Sequence, residues 1–202
     1  GVAVTPITLE CLEVENALKN TKVLFLTYEH QKPLKPEYHD FLATWVTQGG
    51  VLILVDDGTD SYNKVKEWWN DYGNTENSAY VDLLKRLSPE KEWNQGLTSI
   101  GRGFVYFRKE KPSSLQNAAD GPERVLSWLK ESLQALDSSF EIRNYLGIKR
   151  GAYLAMAVMD ETFGTEEPQI LRGEFIDLWD ARLPIVREVT LRPGDRTLLY
   201  DV

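Results

Sequence analysis

The chain has one cysteine and two histidines in 202 residues, and no apolar run long enough to cross a bilayer. A single thiol, Cys11, excludes an internal disulfide and any multi-thiolate zinc centre, but leaves the redox compartment open. Its neighbours in Glu10-Cys11-Leu12-Glu13 are acidic, unlike the electropositive setting of a reactive cysteine, so Cys11 reads as a small buried hydrophobe and not a nucleophile. The longest apolar runs, Val23–Leu26 and Val51–Val55, fall far short of the ~20 residues of a spanning helix, and no membrane span is expected. Positive charge is in deficit too. With 23 Lys and Arg against 31 Asp and Glu, the net charge of −8 lacks the concentrated basic face of a nucleic-acid binder. Gly1-Val2-Ala3-Val4-Thr5-Pro6 has neither the basic nor the apolar region of a signal peptide. A chain that starts at Gly1 reads as a piece whose natural N-terminus lies upstream, and its compartment stays undetermined.

What is present is ample material for a core: 42% hydrophobic residues, with six Trp, nine Tyr and seven Phe. The stretch Tyr38–Trp69 organises the rest. Tyr38, Phe41, Leu42, Trp45 and Val46 recur at helical spacing after Pro36, and Gly49-Gly50 stops the helix. Val51-Leu52-Ile53-Leu54-Val55 has no polar face, as in a parallel strand covered on both sides. Tyr62, Val65, Trp68 and Trp69 then predict one face of a second helix. Residues 2–18 carry a weak helical pattern.

Lys22–Tyr28 reads as another buried strand and Phe104–Phe107 as a third. Tyr80–Leu87 is expected to be helical, with a turn at 71–75 before it. A further helix opens at Pro122, with Val125, Leu126, Leu129, Leu133 and Leu136 on its apolar face. From Phe140 the period drops from about 3.6 to about 2. Five short strands are expected there, 141–148, 153–159, 170–178, 186–191 and 197–200, forming an antiparallel, sandwich-like layer. The expected organisation is an α/β domain over 1–138 with a parallel sheet, followed by a small antiparallel β domain over 139–202.

In open α/β sheets ligands bind outside the carboxyl ends of the strands. That rule singles out Tyr28, Glu29, His30, Asp56 and Asp57 as candidate ligand-binding residues. Two acids with Glu29 and His30 suit a divalent cation or sugar hydroxyls. The plainer reading makes Asp56 and Asp57 caps of the following helix and His30 a loop histidine satisfied by water. His39 falls on the polar side of its helix and is expected at the surface. Trp68, Trp69, Tyr72, Trp93 and Trp179 suit sugar stacking, core packing or a protein interface.

The segment Trp45-Val46-Thr47-Gln48-Gly49-Gly50-Val51-Leu52-Ile53-Leu54-Val55 resembles the trimerisation domain of bacterial β-galactosidases and related glycoside hydrolases, a domain similar to class I glutamine amidotransferases. Lys22–Pro33 resembles its first strand and loop, and Gly101–Phe107 its later glycine-led strand. The segments 153–161, 173–179 and 191–200 resemble the small β domain that closes many multidomain glycosidases. The resemblance implies a flavodoxin-like or amidotransferase-like layer. At the elbow where an amidotransferase carries its cysteine this chain has Asp57, and no histidine follows His39. It therefore implies an accessory region without catalytic residues, metal or cofactor. Its partners are an upstream catalytic domain of the same polypeptide and, as a homo-oligomer, further copies of itself.

Overall fold

The computed structural model describes the chain except for residues 1, 3, 67, 72–75, 77, 141 and 161–166 and the side chains of 68 and 71. It divides into two compact units, residues 6–140 and residues 141–202 with 1–5. The first is an α/β unit and the second an antiparallel β unit.

In the α/β unit a 3₁₀ turn at Leu9–Glu13 precedes β1 (Val23–Leu26), α1 (Glu37–Thr47) and β2 (Val51–Val55). A second 3₁₀ turn (Ser61–Lys64), the short α2 (Trp68–Asp71) and α3 (Ala79–Leu87) follow, then β3 (Gly96–Ile100), β4 (Gly103–Arg108), α4 (Pro112–Asn117) and α5 (Gly121–Gln134). The strand order is β1-β2-β4-β3, with β1, β2 and β4 parallel and β3 antiparallel at the edge. The sheet is thus mixed where an all-parallel one was expected. Ile100 pairs with Gly103, leaving a two-residue loop whose Gly101 has φ +60°, a hairpin geometry that glycine adopts without strain.

Every side chain of β2 is buried. Leu52 and Leu54 belong to the large core with Leu42, Val46, Trp69, Leu83 and Val105. Ile53 and Val55 point the other way, to Tyr106 and Trp128. This is why the run could be apolar throughout. Close approach fixes Gly103, where an added Cβ would lie 2.1 Å from the Val46 carbonyl oxygen and 2.2 Å from that of Gly50.

Three expectations change. The helix foreseen through Tyr62–Trp69 is instead a 3₁₀ turn and the one-turn α2, because Asp60 caps the turn by accepting the Tyr62 N–H at 2.9 Å and Val65 is already extended. His39, expected at the surface, is fully buried. The buried stripe of α1 is Tyr38, His39, Leu42 and Val46, while Phe41 is 47% exposed. Cys11, expected to be buried, is exposed, since its 3₁₀ turn places Leu12 inward instead. Of the turn foreseen at 71–75, Asp71 closes α2, and the rest, Tyr72 included, lies outside the described residues, as does the Trp68 side chain.

The β unit contains β5 (Tyr145–Arg150), β6 (Tyr153–Val158), β7 (Gln169–Asp177), β8 (Ile185–Leu191) and β9 (Arg196–Asp201), in the order β5-β6-β9-β7-β8. All its pairings are antiparallel, with a bulge between Arg172 and Phe175. Gly173 serves that bulge: a Cβ there would sit 2.7 Å from the Phe175 ring. Alternation is clear in β6, where Met156 and Val158 are buried and Tyr153, Ala155 and Ala157 exposed.

Candidate functional site

The loops after β1 and β2 bring the candidate residues to one end of the α/β sheet. Their oxygens are committed to backbone donors close by. Asp56 Oδ1 accepts the Gly58 N–H at 2.8 Å and its carboxylate also takes the Tyr28 N–H. Burial pushes the Asp56 carboxyl above its ordinary value. Asp57 Oδ1 accepts the Thr59 N–H at 2.9 Å and the Thr59 hydroxyl at 2.8 Å. Both acids therefore close turns of their own loop, and neither caps a helix.

Asp60, which the sequence did not bring forward, ties the two loops together. It accepts the N–H groups of Tyr62 and His30, and His30 Nδ1 lies 3.4 Å from its Oδ1. Burial opposes its charge, but the hydrogen bonds from Tyr62 and His30 prevail and hold the carboxyl below its usual range. The side chain of His30 itself is 72% exposed. Its φ of +61° is a left-handed conformation that only an anchored backbone keeps at a non-glycine residue.

Glu29 reaches across to α4, accepting the Ser113 N–H and hydroxyl at 2.7 Å each, with Lys111 Nζ at 3.8 Å. It caps that helix start from 84 residues away in the chain. Ser113 was also missed. Its helix is short and has no apolar stripe, so nothing in the local pattern marks it.

Tyr28 is turned inward. Its hydroxyl meets His39 Nε2 at 2.7 Å, His39 Nδ1 meets Asp82 Oδ2 at 2.6 Å, and Arg86 joins Asp82 at 2.8 Å and Asp40 at 2.6 Å. With Asp82 charged, Nδ1 carries the imidazole proton and Nε2 accepts from Tyr28. Burial lowers the His39 pKa against the pull of Asp82. Burial, with the charges of Asp82 and Asp56, raises Tyr28 well above its ordinary value. The Trp69 ring, 5.1 Å away, covers the imidazole. The order Asp–His–Tyr is that of a proton relay, but Tyr28 is 3% exposed and His39 fully buried. The network is a polar core.

Two open clefts lie elsewhere on this unit, and Glu29, His30, Asp56 and Asp57 line neither. One, of about 400 Å³, is bordered by Lys19, Lys22, Trp45 and Ser138, with Lys22 Nζ donating to Ser138 Oγ at 3.1 Å. Residues just past the ends of α1 and α5 line it too, so the lysines complement the negative ends of two helices. Among the described residues no group of three or more His, Cys, Asp or Glu is placed to hold a metal ion. No described helix is long and apolar enough to cross a membrane.

No protein-family model matches the sequence, and no curated relative matches it. Among solved structures the chain is similar to a β-galactosidase from Bacillus circulans sp. alkalophilus, with 12% identity and a TM-score of 0.46 over 95% of this chain and 34% of that one. It is also similar to the catalytic mutant of a GH42 β-galactosidase from G. stearothermophilus, with 12% identity and a TM-score of 0.41 over 89% of this chain and 32% of that one. The chain spans about a third of the length of these structures. Likenesses this distant assign no family.

Proposed function

We propose that this chain is a non-catalytic accessory region of a larger carbohydrate-active enzyme, a glycoside hydrolase whose catalytic domain lies upstream, and that its work is assembly. Its α/β unit is read as a flavodoxin-like or amidotransferase-like layer and its β unit as a small sandwich-like domain. One observation carries the reading. At the strand ends where an enzyme of this architecture keeps its reactive groups, Glu29, Asp56, Asp57 and Asp60 instead hold the backbone of their own loops and of α4. Groups bound in that way stiffen a scaffold and have little left for a substrate. The resemblance of 45–55 to a β-galactosidase trimerisation segment and of 191–200 to the small β domain that closes many multidomain glycosidases supports the same reading.

The test is the size of the native gene product, by immunoblot of cell fractions of the source organism with an antibody to this chain. The expected band lies far above 23.1 kDa. A band at 23.1 kDa would mean an independent protein and end the accessory reading.

A second reading keeps one support. The exposed imidazole of His30 sits 3.4 Å from Asp60 and 4.0 Å from Glu29, so a sugar- or metal-binding module at Tyr28, Glu29, His30, Asp56 and Asp57 is the alternative. Calorimetry against sugars and divalent cations separates the two, because the accessory reading predicts no saturable heat.

A further inference from the structure

We propose that the second cleft of the α/β unit binds a small organic anion, a single flat ring that carries a carboxylate or phosphate group. The inference stands apart from the accessory role, because a region that assembles an enzyme can also hold a small ligand.

The cleft, of about 280 Å³, lies between α3, the segment that follows it and the carboxyl end of β4. Open α/β sheets bind ligands outside the carboxyl ends of their strands. Phe107 and Lys109 put this cleft at the same sheet end as Asp56, one strand further over. The crevice of the architecture is therefore present, but other side chains border it than those strand direction selects.

Its lining combines rings with lysines. Tyr80 and Phe107 stack with centroids 5.9 Å apart and planes at 19°, and the Trp93 indole N–H donates to the Leu84 carbonyl oxygen at 3.2 Å. Tyr80 and Phe107 belong to the large core and Trp93 packs against it, so this wall is already ordered before a ligand arrives. Trp93 is only half-buried, which leaves part of its ring for a flat partner. Tyr80 is 9% exposed, and its hydroxyl has no hydrogen-bond partner among the described residues.

Lys85, Lys91 and Lys109 complete the lining, and no carboxylate shares it. In a chain of net charge −8 this is a local reversal of sign. Lys85 is accounted for by its ion pair with Glu76 and its place in the last turn of α3. Lys91 and Lys109 are exposed, and among the described residues neither makes an ion pair. Lys91 Nζ lies 6.0 Å from the centre of the Trp93 ring, so an anionic group paired with it brings its own ring to the indole. The charges of Asp56 and Asp57 reach the Tyr80 hydroxyl, but their Oδ1 atoms serve the Gly58 and Thr59 N–H groups. Ligand pockets commonly run from about 300 to about 1,000 Å³, so this one suits a single ring and excludes an oligomer. Lysine pairs with carboxylate or phosphate as a point charge, without imposing a bidentate geometry.

Titration of the full ¹⁵N-labelled chain with benzoate and with phenyl phosphate, followed by NMR at the Trp93 indole N–H, tests this. Trp93→Phe identifies that signal by its loss. A saturable shift is expected, with a Kd of about 0.1–5 mM for so small a ligand. Phenol and inorganic phosphate each carry half of the chemistry and should bind about fivefold more weakly or worse. Lys91→Glu combined with Lys109→Glu is expected to weaken binding about tenfold or more, while Lys22→Glu, in the other cleft, leaves it unchanged. Raising NaCl from about 50 to about 500 mM should weaken binding in the native chain, a check that needs no variant. Circular dichroism on each variant separates lost binding from lost fold. Tighter binding of phenyl phosphate names a phosphate ester as the natural class, and tighter binding of benzoate a carboxylate. No saturable shift up to about 20 mM, inorganic phosphate binding as well as its phenyl ester, or indifference to salt and to the folded double variant overturns the proposal. The immunoblot reads the accessory role separately, so either inference can fail without the other.

Discussion

The two sheets of this protein solve the same problem to different degrees. The four-stranded sheet of the α/β unit has cores on both faces, Leu52 and Leu54 on one and Ile53 and Val55 on the other. The five-stranded sheet buries Met156, Val158 and Leu199 but leaves Leu146, Ile148 and Tyr153 more than half exposed. Its apolar cluster is correspondingly small. Stability should therefore be concentrated in the first unit, while the second keeps apolar surface available for association.

The largest contrast is expected from truncation. Leu52→Ala removes a fully buried side chain and should cost about 3–5 kcal/mol in urea unfolding. Ile148→Ala, on the open face, should stay within about 0.5 kcal/mol for the monomer. Equal losses at the two positions would show that the open face is covered in the monomer.

A middle-sized effect is expected from the polar core. His39→Leu keeps the volume but leaves the Tyr28 hydroxyl without its partner and Asp82 Oδ2 with Arg86 alone. The expected loss is about 2–3 kcal/mol, since buried polar groups are stranded. A Tyr28→Phe, His39→Leu double variant should recover part of it, and strict additivity of the two losses would deny the coupling.

The same histidine gives a pH signature. Its folded pKa lies below its ordinary value, so below about 6.5 the unfolded chain binds a proton that the folded chain refuses. Stability is fully present above that pH and falls as the solution is acidified through it. Asp82 and Asp60, whose carboxyls are lowered despite burial, lose their contribution only in the more acidic carboxylate window. Burial raises Asp56, which works in the opposite sense there. Unfolding free energies between pH 7.5 and 5.5 should slope downward in the native chain and flatten in His39→Leu; parallel slopes would acquit His39.

How much of this was legible in the sequence follows the strength of local pattern. The β2 run, the α5 stripe and the change of period near residue 140 each carry their own periodicity, and the corresponding elements form. His39 was misplaced because two overlapping stripes compete on α1. Phe41 and Trp45 look as apolar as Tyr38 and Leu42, and only Asp82 and Trp69, over 25 residues later, decide which side turns inward. β3 was missed although Gly101 marks its hairpin, because Gly-Leu-Thr-Ser-Ile is too weakly apolar to read as a strand. Among the candidate site residues, the placement of Glu29, Asp56 and Asp57 near one sheet end was readable from strand direction. Their hydrogen-bond partners were not, since Ser113 is 84 residues from Glu29 and Asp60 acts through backbone donors that have no sequence signature.

The smallest expected effect lies at that sheet end. If the carboxylates there serve only their loops, titration of the chain with neutral sugars or with Ca²⁺, Mg²⁺ or Zn²⁺ gives no saturable heat. Asp57→Asn should then change little, because an amide oxygen accepts the Thr59 N–H as the carboxylate does. Asp60→Asn should destabilise by about 1–2 kcal/mol, because both of its oxygens are occupied and an amide can fill only one of those places as an acceptor. A saturable heat abolished by Asp57→Asn would reverse the assignment, making the α/β unit a binding region.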